Sequence, residues 1–499
     1  MRGNALILQP EIHNKTQNHC MKEYMRYIVT TIGAMMLCLS AWAQDSVSIS
    51  RADYDALLKR IENIEQREGI KPEGKSAKLR QIGSGEEYQK FRFGGYGEIL
   101  AQFMNYDPKI IFDGRRTGSL NSTNAVSIPR FVLAGDYRFN KHWNLGVEIE
   151  FEAGGVGLEY EMEGGSEGNE HEVEYEKGGE VALEQFHITY TLNPTFNVRA
   201  GHLILPVGLT NAHHEPILFF GTSRPEGETT ILPSTWHETG LEVFGRFGKN
   251  HARMSYQAMV VAGLTADGFG TANWVASGKA GLFEKDNFTS PAYVARLNYH
   301  GVPGLRLGAS VYYCNNTAAN ADEPQKYTTV KTGEFRVPVT ILTADAQYTH
   351  RIVTARTNVI WGKVGNSDLA SKNISGKSPY YHNIAFRTIA RNALAYGAEA
   401  GINLRNVFGT KKCPVLYPFG RYEYYNPQEK GTGKQTMDSR YQVSKWSAGL
   451  NWFALPNLVV KADFTTRRIG TQCVFGGGVG NRENEFAIAI AYTGWFSKK

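Results

Sequence analysis

Cysteine is almost missing from this sequence. Cys20, Cys38, Cys314, Cys413 and Cys473 are the five in 499 residues, and no two have CxxC spacing. The last three, the ones left after the segment discussed below, are odd in number and far apart, which excludes a disulfide framework. Charge is also sparse. Charged residues make up 20% and the formal net charge is +6, a balance that calls for no nucleic-acid partner. Long hydrophobic runs are absent, and with a mean hydropathy of −0.36 the chain is not a polytopic helical membrane protein. Yet aromatics reach 12% and hydrophobic residues 42%, too many for a disordered chain.

The first clear signal is an address. Lys22 and Arg26 precede an apolar run from Tyr27 to Leu39, followed by Ala41-Trp42-Ala43. That order is the charged, apolar and small-x-small pattern of a secretory signal, expected to be cleaved near Ala43/Gln44. Met21 or Met25 suits such a signal as a start, so 1–43 reads as an upstream extension plus signal peptide. Met35-Met36-Leu37 before Cys38 lacks the small residues of a lipidation site. Next, Tyr54, Leu57, Ile61 and Ile64 repeat at 3-4-3 spacing after a Ser50 N-cap, and Gly69 and Pro72 end the pattern. Two heptads predict a short periplasmic helix, either alone or in a coiled coil that helps hold an oligomer such as a trimer. Residues 44–89 are therefore a helix with a linker. They are too few for the plug of a TonB-linked receptor.

From Phe91 the period becomes two. In the last such segment Phe486, Ile488, Ile490 and Tyr492 oppose Ala487, Ala489 and Ala491. Trp446, Ala448, Leu450 and Trp452 oppose Ser447, Gly449 and Asn451, turn at 454–457, and continue as Leu458, Val460, Ala462 and Phe464 opposite Lys461, Asp463 and Thr465. The same figure recurs around turns at 140–141, 193–194, 248–250 and 301–304. A β-sandwich also alternates. Three features favour a membrane instead. Short turns alternate with long polar connections, such as 155–180, 265–290, 314–335 and 365–385. Aromatics crowd the short turns: Phe139 and Trp143, Tyr190 and Phe196, Trp452 and Phe453. The final strand ends in Trp495-Phe496, like the signal read by barrel-assembly machinery. Residues 90–499 thus predict an all-β transmembrane antiparallel barrel. At about 25 residues per strand and its connections there are about sixteen strands, enough for an aqueous lumen.

Ile128-Pro129-Arg130-Phe131, Val198-Arg199-Ala200-Gly201-His202, Pro206-Val207-Gly208, the run from Leu232 to Gly240, and Ala295-Arg296-Leu297 with Leu307-Gly308-Ala309-Ser310 occur in an order that resembles the phosphate-selective porin O and P family in its Bacteroidetes-type form. The resemblance covers about 91–496. It implies a sixteen-stranded, usually trimeric porin of the outer membrane that passes anions by diffusion.

Parity supplies candidate lumen residues independently. Arg92, Arg130, Arg138, Arg199, Arg246, Arg253, Arg296, Arg306, Arg356, Arg421 and Lys461 are expected inward, where guanidinium forks suit phosphate or carboxylate solutes. Glu98, Asp136, Glu148, Glu150, Glu152, Glu242, Glu399, Glu423 and Asp463 are expected there too, as counter-charges that brace the wall. Thirteen Glu lie between Glu148 and Glu184 with one lysine, Lys177. They read as a solvated outer connection bridged to lipopolysaccharide. His213-His214-Glu215 and Trp236-His237-Glu238 lack HExxH spacing, so no metal or other cofactor is expected. Segment 205–235 is better used as a constriction folding into the lumen. Two functions remain open. One is a porin for small anionic or neutral solutes. The other is a surface-binding or adhesin barrel whose loops contact host or matrix. A barrel enzyme is not expected, because GxSxG is absent and no Ser-His-acid set falls on one rim.

Overall fold

A computed structural model describes residues 90–106, 122–155, 179–279, 286, 288–322, 324, 336–373, 388–410, 412–433, 435–470 and 481–496. The expected signal peptide, short helix and linker lie outside the described residues, as do 156–178 of the acidic stretch.

Sixteen strands form one closed antiparallel barrel. They are β1 (Phe91–Met104), β2 (Thr123–Arg138), β3 (Trp143–Glu152), β4 (Val181–Thr191), β5 (Asn197–Ile204), β6 (His237–Phe247), β7 (Met254–Val261), β8 (Ala292–Tyr299), β9 (Leu305–Cys314), β10 (Val339–Thr349), β11 (Val353–Val364), β12 (Asn392–Ile402), β13 (Val415–Lys430), β14 (Val443–Leu455), β15 (Leu458–Ile469) and β16 (Arg482–Trp495). Each pairs with its chain neighbours, and β1 closes on β16 from Gly94–Trp495 to Met104–Glu485. Closure matters physically. In hydrocarbon no water can satisfy a free N–H or C=O, so a sheet spans only when it has no edge. The expected barrel of about sixteen strands is the one observed.

The alternation sets which side chains meet lipid. Phe486, Ile488 and Ile490 are exposed, while Ala487, Ala489 and Ala491 are buried inside. The inner residues of β16 are small because the turn Pro216–Leu218, from a connection described below, packs on that strand. Trp446, Leu450, Phe464, Tyr293 and Leu297 continue the apolar outer surface. Around the rim with short turns runs an aromatic belt. Phe139, Trp143, Phe196 and Trp452 are exposed there, Tyr137 meets Phe139 edge-on at 5.0 Å, and Trp143 meets Tyr190 at 4.8 Å. Phe496 stacks on Tyr492 at 5.5 Å and donates its N–H to the Phe93 carbonyl at 2.8 Å, knitting the last strand to the first. Such rings suit the headgroup level.

Seven connections lie on this rim and eight longer ones on the other. Gly248 and Gly304 take φ of 77° and 79° in two of the short turns, a conformation costly for residues with a Cβ. One connection on this rim, 403–414, is longer and carries a helical turn, Leu404–Phe408.

Four strand pairs carry a register shift, and those of β1–β2 and β3–β4 adjust parity in mid-strand. Between β1 and β2 the register passes from Glu98–Arg130 to Leu100–Ser127. Ile128-Pro129 therefore forms a mid-strand bulge, and β2 starts at Thr123. Above it the outward set changes from Phe131 to Ile128 and Val126, both exposed. Pro129 fits because a bulge frees one residue from the ladder. Between β3 and β4 the register passes from Glu148–Gln185 to Ile149–Leu183, and the extra residue is the buried Glu184.

A charge on the outer surface has a stated cost. Ile488→Arg, near the middle of β16, lowers stability in a bilayer by about 2–4 kcal/mol, measured by denaturant titration of vesicle-inserted protein, whereas Ser447→Thr on the inner face of β14 changes it little.

Candidate functional site

The lumen is not an open cylinder. β5 ends after eight residues, and the chain turns inward at Leu205-Pro206 and stays inside the barrel until Trp236. This matches the inward path expected for 205–235. The turn is driven by burial: Leu203, Leu205, Val207, Ile231, Leu232 and Trp236 pack in one cluster with the wall residues Val261, Val294, Tyr312, Val339 and Ile341. Asn211 closes the neck of the loop by donating to the carbonyls of Leu205 (2.6 Å) and Trp236 (3.1 Å).

The rest of the loop is held by polar contacts, because a backbone crossing a barrel has N–H and C=O groups to satisfy. Glu228, in the short helix α1 (Glu226–Ile231), accepts from the backbone N–H groups of Leu209, Thr210 and Asn211 and from the Asn358 amide of β11. Burial pushes its carboxyl above the usual range despite those donors. Glu226 takes Arg467 of β15, Lys445 of β14 at 3.2 Å, and the Tyr425 hydroxyl of β13 at 2.6 Å. Asp463 accepts from the N–H (2.6 Å) and hydroxyl (3.1 Å) of Thr222. Lys461 is enclosed by the carbonyls of Pro216, Phe219 and Gly221, with its ammonium 4.2 Å from the Phe219 ring centre. Phe220 stacks on Phe419 at 5.5 Å, and its N–H points at Glu399.

The candidate lumen residues fall into three groups. Arg296, Arg356, Arg421 and Lys461 are buried under the loop. Arg296 chelates Asp345 at 2.7 Å and donates to the Gly208 carbonyl at 3.1 Å, and Arg356 and Arg421 both grip Glu399. Arg92, Arg130, Arg199 and Arg306 are paired but partly open, with Asp136, Glu98 (3.1 Å), Glu242 (3.2 Å) and Asp345 (3.2 Å) respectively. Arg138 and Arg246 lie toward the short-turn rim at the ends of β2 and β6. Arg253 departs from expectation. It sits in the turn before β7, off the wall, and donates to the His300 carbonyl. Among the counter-charges, Glu148 accepts from Gln185 at 2.5 Å and Glu150 is buried beside it. Glu152, expected inward, ends β3 exposed.

A second cluster ties the loop to β1 and β4. His214 Nε2 lies 3.0 Å from Glu184, which also accepts from the Tyr96 hydroxyl at 3.2 Å. Burial works against a charged His214, but Glu184 wins and holds its proton above the usual histidine range. Its neighbour behaves oppositely. Burial, helped by the Arg306 charge, pushes His213 down to about 3. Arg224 nearby is buried and donates to Ser234 and Thr235.

Lys445 and Arg467 were readable, because each continues its strand's inward parity by one more step. Glu226 and Glu228 gave no periodic signal, lying in an irregular loop. Among the described residues no group of three His, Cys, Asp or Glu is placed to hold a metal ion.

Fold and site together define a class: a sixteen-stranded transmembrane β-barrel with a connection pinned across its lumen. No family profile matches the chain. An uncharacterized protein of Aquifex aeolicus (strain VF5) is 23% identical over 381 residues, covering 74% of each chain. The outer membrane channel DcaP of Acinetobacter baumannii aligns at a TM-score of 0.48 and 11% identity, over 81% of this chain and 97% of that one. The anion-selective porin from Comamonas acidovorans gives 0.46 and 10% over 81% and 99%, and OmpF of Salmonella typhi 0.48 and 11% over 81% and 98%.

Lys461→Met leaves three buried carbonyls without their donor, at about 1–3 kcal/mol for each one left unpaired. The variant is expected to keep its barrel but release the loop, seen as faster protease cleavage near Arg224 with an unchanged heat-dependent gel mobility shift.

Proposed function

We propose that the protein is an outer-membrane porin that lets small hydrophilic solutes diffuse passively, with a weak preference for anions and no dedicated phosphate site. The observation that carries this reading is the polar inner wall of a closed sixteen-stranded barrel, whose crossing loop is pinned to that wall. Barrels of this strand number leave an aqueous channel. The weakness of the preference follows from pairing. Arg356 and Arg421 share Glu399, and Arg296 and Arg306 share Asp345. Among the described residues, a passing anion meets the open sides of the paired Arg130, Arg199 and Arg306, and Arg246 toward the short-turn rim. The protein acts as a channel rather than an enzyme.

The same reading includes export by the signal at 1–43, insertion by the barrel-assembly machinery, assembly as a homotrimer, and an acidic outer connection that meets lipopolysaccharide through divalent cations. The outer aromatic belt and apolar surface support placement in the outer membrane.

Planar-bilayer recording of the purified protein tests it. Stepwise single-channel currents are expected, with an anion-signed reversal potential in a KCl gradient that Arg199→Ala with Arg246→Ala reduces. Added phosphate should leave the chloride current unblocked. A barrel that gives no steps contradicts the porin reading, and phosphate block contradicts the weak preference.

A further inference from the structure

Two adjacent histidines of the crossing loop are held in opposite protonation states by opposite walls. The His213 ring has both nitrogens engaged. Arg306 Nη1 of β9 faces its Nε2 at 2.9 Å, and its Nδ1 lies 3.1 Å from the Leu209 carbonyl. A guanidinium can only donate, so Nε2 is the acceptor and Nδ1 carries the single proton that bonds Leu209. Arg306 stays a cation because a guanidinium keeps its protons at these pH values, and Asp345 of β10 holds it at 3.2 Å. The other charges facing this ring are Arg296 of β8 and Arg356 of β11. The next residue is the reverse case. His214 Nδ1 donates to the Asn211 carbonyl at 2.8 Å, and its Nε2 faces Glu184 of β4, with Glu148 of β3, the loop's own Glu215 and Arg224, and the Tyr96 ring of β1 around it.

We propose that His213 is an acid switch on the crossing loop: a proton on its Nε2 breaks the Arg306 contact, frees the His213 side of the loop from the β8–β10 wall, and moves it into the solute path. The inference rests on the channel reading above. The geometry leaves no alternative place for the proton. A second N–H on the ring would point at a guanidinium whose counter-ion, Asp345, already serves two arginines.

The sign follows from linkage. In the latched state His213 is held down to about 3, whereas a released histidine titrates near 6.5. Between those values the released loop binds the extra proton, so the latched state loses ground as pH falls through 6.5, by up to about tenfold per unit. Protonated His214, with its Glu184 partner, keeps its side of the loop attached throughout this range, so the movement is a swing from one anchor and not a loss of the whole loop.

Single-channel recording of the full chain between pH 7.5 and 4 tests this. The wild type is expected to hold one level at pH 7.5 and to spend a growing fraction of time in a lower level below pH 6.5, reversibly. His213→Gln keeps an acceptor for Arg306 without a titrating proton and is expected to stay at the upper level throughout. His213→Lys places a fixed charge there and is expected to occupy the lower level at pH 7.5. Correct folding of each is read from the heat-dependent gel shift. An acid transition unchanged in His213→Gln, or wild-type steps that ignore pH, overturns the switch alone. No steps at any pH contradicts the channel reading and this proposal with it.

Discussion

The structure depends on one constraint: a backbone inside hydrocarbon must satisfy each of its N–H and C=O groups internally. For a chain with no long apolar helix pattern, the remaining solution is a sheet closed on itself, here from β1 to β16. Closure then dictates the alternation. Outward residues such as Ile488 and Trp446 are apolar because lipid surrounds them, and inward ones such as Lys461 and Asp463 are polar. The membrane interface adds the aromatic belt at the short-turn rim.

The same requirement acts again inside the lumen. A loop of more than thirty residues crosses it, from Leu205 to Trp236, and its backbone needs partners of its own. Glu228 takes three of its N–H groups, and Lys461 takes three of its carbonyls. Much of the wall's charge is therefore structural. An arginine-rich inner surface suggests an anion filter by composition. Its most buried members instead clasp Glu399 and Asp345 or the loop backbone. Buried pairs of this kind bring little net stability but are costly to break singly, so they fix where the loop lies.

The sequence showed the architecture clearly and the site only partly. Strict alternation in β14, β15 and β16 exposes one face to lipid without any knowledge of the fold, and the spacing of short and long connections gives the strand number. Parity also placed Arg296, Arg356 and Lys461 inside. What it could not show is which inner charges are covered, since that depends on a loop pairing with strands more than two hundred residues away, as Thr222 does with Asp463. Bulges hid a little more. The extra residue in β4 turns Glu184 inward from the end of an acidic run, and the bulge at Pro129 shifts the outward set of β2. Arg253 failed because a turn, not a strand, occupies its position.

Solute size exclusion reads out an aqueous path narrowed by a pinned loop. In liposome-swelling assays with sugars of increasing mass, the wild type should admit small sugars and exclude larger ones. Replacing Lys461 and Glu226 together should move the cut-off while the barrel remains folded. Liposomes that swell with no sugar, or a cut-off indifferent to both loop anchors, would rule out a channel narrowed by this loop.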